Sequence, residues 1–239
     1  MTHATATADL MRPPFPAEPG AGVYSSKLGM WVFLASDVMF FTALIGTYII
    51  LRFGVTEPWA QPGVVLNVPL TAFNTFLLIC SSVSMVKAYA AIADGKKYFL
   101  RAIPGKALQD GGLKFWLLVT MICGAAFVGV QVYEYVKLVG HGFTPTGYRE
   151  GSELAERAAA DPLRYGLATA GLYGSTFFTM TGFHGFHVTC GVVCMTWVYL
   201  KARGGGYTQQ DYRGVEVVGL YWHFVDLVWI ILFTIVYLI

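Results

Sequence analysis

Charge is what this chain has least of. Lysine, arginine, aspartate and glutamate make up 13% of its 239 residues, about half the share near 25% that soluble domains carry. That scarcity excludes an ordinary water-soluble domain, and without a basic tract there is nothing to bind nucleic acid. Cysteine is also sparse. Cys80, Cys123, Cys190 and Cys194 all fall in apolar segments, with neither the framework of a disulfide-stapled extracellular fold nor a Cys-x-x-Cys metal knuckle. Cys190 and Cys194 stand one helical turn apart, a spacing open to a soft metal, although a buried free cysteine is more often a small hydrophobe. The opening MTHATATADLMRPPFPAEPG lacks the basic start and apolar core of a signal peptide. Its prolines and small residues predict a cytoplasmic arm over residues 1–27, free to lie along a neighbouring subunit. There is no internal repeat of the sort that marks inverted-repeat transporters.

What the chain does have is apolar length. Hydrophobic residues make up 56% of it, gathered into five runs at roughly 28–52, 67–93, 113–138, 166–201 and 216–239. Each can cross a hydrocarbon core about 30 Å thick, which takes about 20 helical residues. Backbone polar groups go unpaired in lipid unless they lie in helices or closed barrels, so the predicted fold is all-α: an integral membrane bundle of five transmembrane helices over 28–239. Orientation follows from the basic residues. Of 16 lysines and arginines, only Arg52, Lys137, Arg149, Arg157 and Arg164 fall on one side of this topology. The other side should be cytoplasmic, with the N-terminus inside and the C-terminus outside. In the outer loop 140–165, GSELAERAAADP predicts a short surface helix, with Ser152 as its cap and Pro162 beyond its end.

Polar residues inside the spans cost free energy there, so they mark bundle interiors or contacts. Asp37 lies well inside the first span, where desolvation disfavours a charged carboxyl. It is open to two readings, a proton-accepting group beside a conduction path or a carboxyl hydrogen-bonded to a neighbouring helix. Glu134, in QVYEY, is expected to form a structural ion pair with a basic residue or a histidine of the fourth span. In FHGFHV, His184 and His187 share one helix face by their spacing of three, and His223 and Asp226 repeat that spacing in the fifth span. Haem or metal ligation, a proton path and plain packing are all open for the histidines. A catalytic zinc would want three close ligands, and only the fourth-span pair is well spaced. Gly182, Gly185 and Gly191 around them predict a seam where a second backbone approaches closely.

GMWVFLASDVMFF, QVYEY, STFFTMTGFHGFHVTCG and YWHFVDLVWIILF, in this order on successive spans, closely resemble subunit III of haem-copper terminal oxidases, in a five-span bacterial form. The resemblance covers about residues 27–239. It implies an accessory subunit of the complex that reduces dioxygen to water and pumps protons, in a bacterial plasma membrane. The implied partners are oxidase subunits I and II, which carry the haem and copper, membrane phospholipid, and a donor complex or cytochrome c domain. No cofactor is implied in this chain itself. The donor is expected to be cytochrome c, with quinol as the alternative. Asp37 falls where many relatives carry a membrane-embedded glutamate that reacts with carbodiimide, so the resemblance implies a proton-path role for it. Glu134, His184, His187, His223 and Asp226 match positions that the family uses for structure or lipid contact. The seven-span relatives have two further N-terminal spans that form one arm of a lipid-holding cleft, and the chain begins where the third of their spans would. The loop 140–165 is not part of the resemblance and is expected to contact an electron-donor subunit.

Overall fold

The computed structural model describes residues 24–93, 111–208 and 211–238. The arm expected over 1–27 falls outside them as far as residue 23, as does the basic connection 94–110. Among the described residues, five helices are long and apolar enough to cross a membrane. These are α1 (Ser25–Gly54), α3 (Val68–Ala93), α4 (Gly111–Gly140), α7 (Ala170–Arg203) and α8 (Arg213–Phe233), the last widening to π geometry over Thr234–Leu238. Their ends lie within about four residues of the predicted limits, because boundaries set by hydropathy coincide with the turns where backbone groups meet water.

The helices differ in how much they bury. Helix α1 is peripheral: only Asp37, Phe41 and Tyr48 are buried along its 30 residues, and Val32, Met39, Ile50 and Phe53 face outward. Helix α8 is central. It packs against α1, α3 and α7, while α3 pairs most extensively with α4, and α4 with α7. An apolar exterior is what a bundle in lipid requires, since lipid tails are as apolar as leucine. Association must then come from packing and interhelical hydrogen bonds.

Trp222 is the centre of that packing. Its indole lies against two glycines on different helices: a Cβ at Gly124 of α4 would sit 2.6 Å from the ring, and one at Gly191 of α7 would sit 2.9 Å from it. The ring N–H donates to Ser81 Oγ of α3 at 3.0 Å. One side chain therefore joins four helices. The seam predicted from Gly182, Gly185 and Gly191 is corrected accordingly. Gly191 admits an indole and Gly185 admits the amide of Gln131, while Gly182 meets only the Tyr135 hydroxyl at 3.8 Å. The small residues make room for side chains rather than for a second backbone.

At one end of the bundle the chain builds a cap. Phe143–Thr144 pairs antiparallel with Gly147–Tyr148 as β1 and β2, with Phe143 opposite Tyr148. Helix α5 (Glu153–Ala160) follows, its first turn capped by Ser152, whose side chain accepts from the Ala155 N–H. Asp161 then caps α6 (Pro162–Tyr165), so Pro162 both ends one helix and opens the next. Gly166 has φ 56 and ψ 51, and a side chain there would strike the Ala60 backbone, 2.9 Å from its Cα. Glycine is needed on both counts. The cap is fastened to the connection after α1 by Gln61 N–H to Arg164 O (3.2 Å) and Thr169 Oγ1 to Pro58 O (2.8 Å). The short helix α2 (Pro62–Val65) leads from there into α3.

Candidate functional site

Asp37 of α1 and His187 of α7 meet inside the bundle. His187 Nε2 lies 3.5 Å from Asp37 Oδ2, with both side chains largely covered. This exceeds ordinary hydrogen-bond length, so the contact is an ion pair or a loose bridge rather than a tight bond. The other ring nitrogen, Nδ1, is 2.8 Å from the Phe183 carbonyl of the preceding turn. Only an N–H can serve a carbonyl, which assigns the Nδ1 proton and leaves Nε2 facing the carboxyl. At 3.5 Å the two groups approach closely, and Asp37 Oδ2 has no hydrogen bond among the described residues. Phe41 packs edge-on against His187 at 5.1 Å, and the Tyr221 hydroxyl of α8 donates to the His187 carbonyl at 2.9 Å.

His184, one turn earlier on α7, is fully buried. It stacks on Trp229 at 4.8 Å and meets the Phe127 edge at 5.9 Å. Its two ring nitrogens have no hydrogen-bond partner among the described residues. Ring contacts with Trp229 and Phe127 are what the described residues supply to it.

The remaining residues expected at the site lie elsewhere. His223 Nδ1 is 2.7 Å from Ser82 Oγ of α3. Asp226, one turn on, is buried with Oδ1 unpartnered. Glu134 is buried near the capped end, where Thr71 Oγ1 lies 3.1 and 3.2 Å from its two oxygens. Among the described residues it has no basic partner, so the Thr71 hydroxyl stands where the ion pair was expected. Its neighbours on α4 turn toward α7: Gln131 Nε2 donates to Thr181 O at 2.6 Å, and the Tyr135 and Thr181 hydroxyls lie 2.5 Å apart.

The contribution of α3 is not evident from charge. Thr71, Asn74, Thr75, Ser81 and Ser84 are all buried along one face, and Trp229 Nε1–H donates to Thr75 Oγ1 at 2.9 Å. Their recurrence on one helical face was the available signal, since hydroxyls and amides in lipid seek partners on neighbouring helices. At the opposite end from the cap, Lys27 Nζ and Glu216 Oε1 form an ion pair at 2.5 Å, and the Tyr24 hydroxyl donates to Glu216 Oε2 at 2.9 Å. This pins the start of α1 to α8. In the turn just before α8, the Arg213 guanidinium donates to Asp211 and holds its carboxyl below the usual range.

Among the described residues no three of His, Cys, Asp and Glu come together as a metal site. What the fold and the buried polar pair define is a multi-pass, all-α membrane bundle with a carboxyl–imidazole contact between its peripheral first helix and its fourth span. The family described as Cytochrome c oxidase subunit III matches residues 165–239, a stretch that holds His184, His187, His223 and Asp226. Cytochrome c oxidase subunit 3 of Thermostichus vulcanus is 35% identical over 212 residues, 88% of this chain and 86% of that protein. "Probable quinol oxidase subunit 3" of Staphylococcus aureus (strain USA300) is 28% identical over 214 residues, 90% of this chain and 89% of that protein. The chain belongs to the subunit III family of haem-copper oxidases, and with it to an oxidoreductase complex of that class.

Proposed function

We propose that this chain is the accessory, non-redox subunit of a proton-pumping terminal oxidase, that its donor is cytochrome c, and that it supports assembly, lipid binding and sustained proton uptake. The observation carrying this reading is the full-length similarity to a cytochrome c oxidase subunit 3. The haem and copper then belong to subunits I and II, on which the bundle packs, and phospholipid covers part of its apolar exterior. The membrane is the bacterial plasma membrane, with the N-terminus cytoplasmic and the arm 1–27 preceding the bundle 28–239. Asp37 is the proton-path group, for which its close approach to His187 inside the span is the support. Glu134, His184, His223 and Asp226 hold the helices together. The cap at 140–165 faces the electron-donor side. Quinol is the competing donor, favoured by the second relative.

The test is capture of the chain in mild detergent, with mass spectrometry of its partners and a haem spectrum. Co-purification with large haem- and copper-bearing subunits is expected, and a cytochrome c domain among them identifies the donor. Isolation of the chain alone with its own Soret band would overturn the proposal.

A further inference from the structure

Three buried side chains on three helices carry polar atoms with no hydrogen-bond partner among the described residues. The first is the ring of His184, with both nitrogens open. The others are Asn74 Oδ1 on α3 and Gln131 Oε1 on α4. The two amides are oriented without ambiguity. Asn74 Nδ2 donates to the Phe127 carbonyl at 3.2 Å and Gln131 Nε2 donates to the Thr181 carbonyl, so in each case it is the oxygen that remains free. Both border His184. Phe127, whose carbonyl holds Asn74, sets its ring edge against the imidazole, and the Gln131 amide fills the space left by Gly185, the residue after His184.

The chemistry of these groups is complementary to one small ligand. A neutral imidazole offers one N–H donor and one bare nitrogen on opposite edges of the ring, while the amide oxygens are acceptors only. No direct contact among the three supplies a donor to the bare nitrogen. Water brings two donors and two acceptors, and buried water characteristically occupies sites with two to four such partners. We propose that the layer around His184 is an internal water-binding site, in which ordered water bridges the imidazole nitrogens and the open amide oxygens of Asn74 and Gln131. The water holds a neutral ring in place between Trp229 and Phe127 and gives the interior of the subunit a hydrated point one turn from the Asp37–His187 contact.

The test uses the full chain, in the complex with which it purifies, labelled with 15N-histidine and reconstituted in lipid. Water-edited solid-state NMR reads which ring nitrogens are hydrogen-bonded and which receive magnetisation from water. The His184 signal is identified by its loss in His184→Phe. Hydrogen-bonded nitrogens with water transfer are expected, and Asn74→Leu with Gln131→Leu should abolish the transfer at His184 while leaving the His187 signal unchanged. A free, dry imidazole in the unsubstituted protein overturns the proposal whatever the variants do. So does water transfer at His184 that persists undiminished in a folded double variant.

Discussion

His187 Nε2 faces Asp37 Oδ2 across the contact between α7 and α1 at 3.5 Å, and this contact joins the least buried helix of the bundle to one of its structural centres. Helix α1 is otherwise held by the buried rings of Phe41 and Tyr48 and by the ion pair at its start. Because several contacts share the work, Asp37→Ala is expected to leave the subunit assembled while shortening the number of turnovers before the oxidase inactivates. A double-mutant cycle with His187→Ala on thermal unfolding should give a coupling of about 0.5–3 kcal/mol, as neighbouring charged groups do. Zero coupling with unchanged turnover life would remove the proton role from this pair.

Glu134 offers a sharper contrast. Breaking a buried ion pair by removing one partner costs about 3–5 kcal/mol, but Glu134 is met by the Thr71 hydroxyl rather than by a cation. Glu134→Gln keeps the size and an acceptor, so the stability change is expected to stay within about 1 kcal/mol, the worth of a neutral hydrogen bond. Thermal unfolding of the purified variant checks this, and a loss several times larger would reveal a charged partner.

The glycines separate by what faces them. Alanine at Gly124 or Gly191 would press on the Trp222 indole, a rigid ring enclosed by four helices, and overpacking of this kind costs about 1–3 kcal/mol. At Gly185 the opposing atoms belong to the end of the Gln131 side chain, which can turn aside. Gly124→Ala and Gly191→Ala should therefore lower the unfolding temperature and the yield of assembled complex more than Gly185→Ala does. Equal effects at all three positions would contradict the packing around Trp222.

Glu216 accepts from both Tyr24 and Lys27. Glu216→Gln keeps a hydrogen bond but loses the ion pair, at a cost of about 1 kcal/mol for a partly solvated pair. Glu216→Lys adds repulsion against Lys27 and should release the start of α1. Limited proteolysis near residue 25 reads this directly: cleavage should be slowest in the unsubstituted chain and fastest with lysine, with raised salt narrowing the difference between the unsubstituted chain and Glu216→Gln.

The sequence by itself determined the membrane class, the number of spans and their limits to within about one helical turn, because burial in lipid depends on summed hydropathy over a length that the bilayer dictates. It also determined the helix over 153–160, since Ser152 and Pro162 act through local backbone bonds. The ordered blocks around Asp37, His184 and Trp222 were enough to indicate the family. Only the tertiary structure decided the partners. That Asp37 meets His187, that Glu134 meets Thr71, and that His184 stacks on Trp229 all depend on the rotation of each helix about its axis. That rotation is weakly encoded in a bundle apolar on its outside and inside alike. It is set here by side chains such as Trp222, which fits only where glycines on two other helices make room.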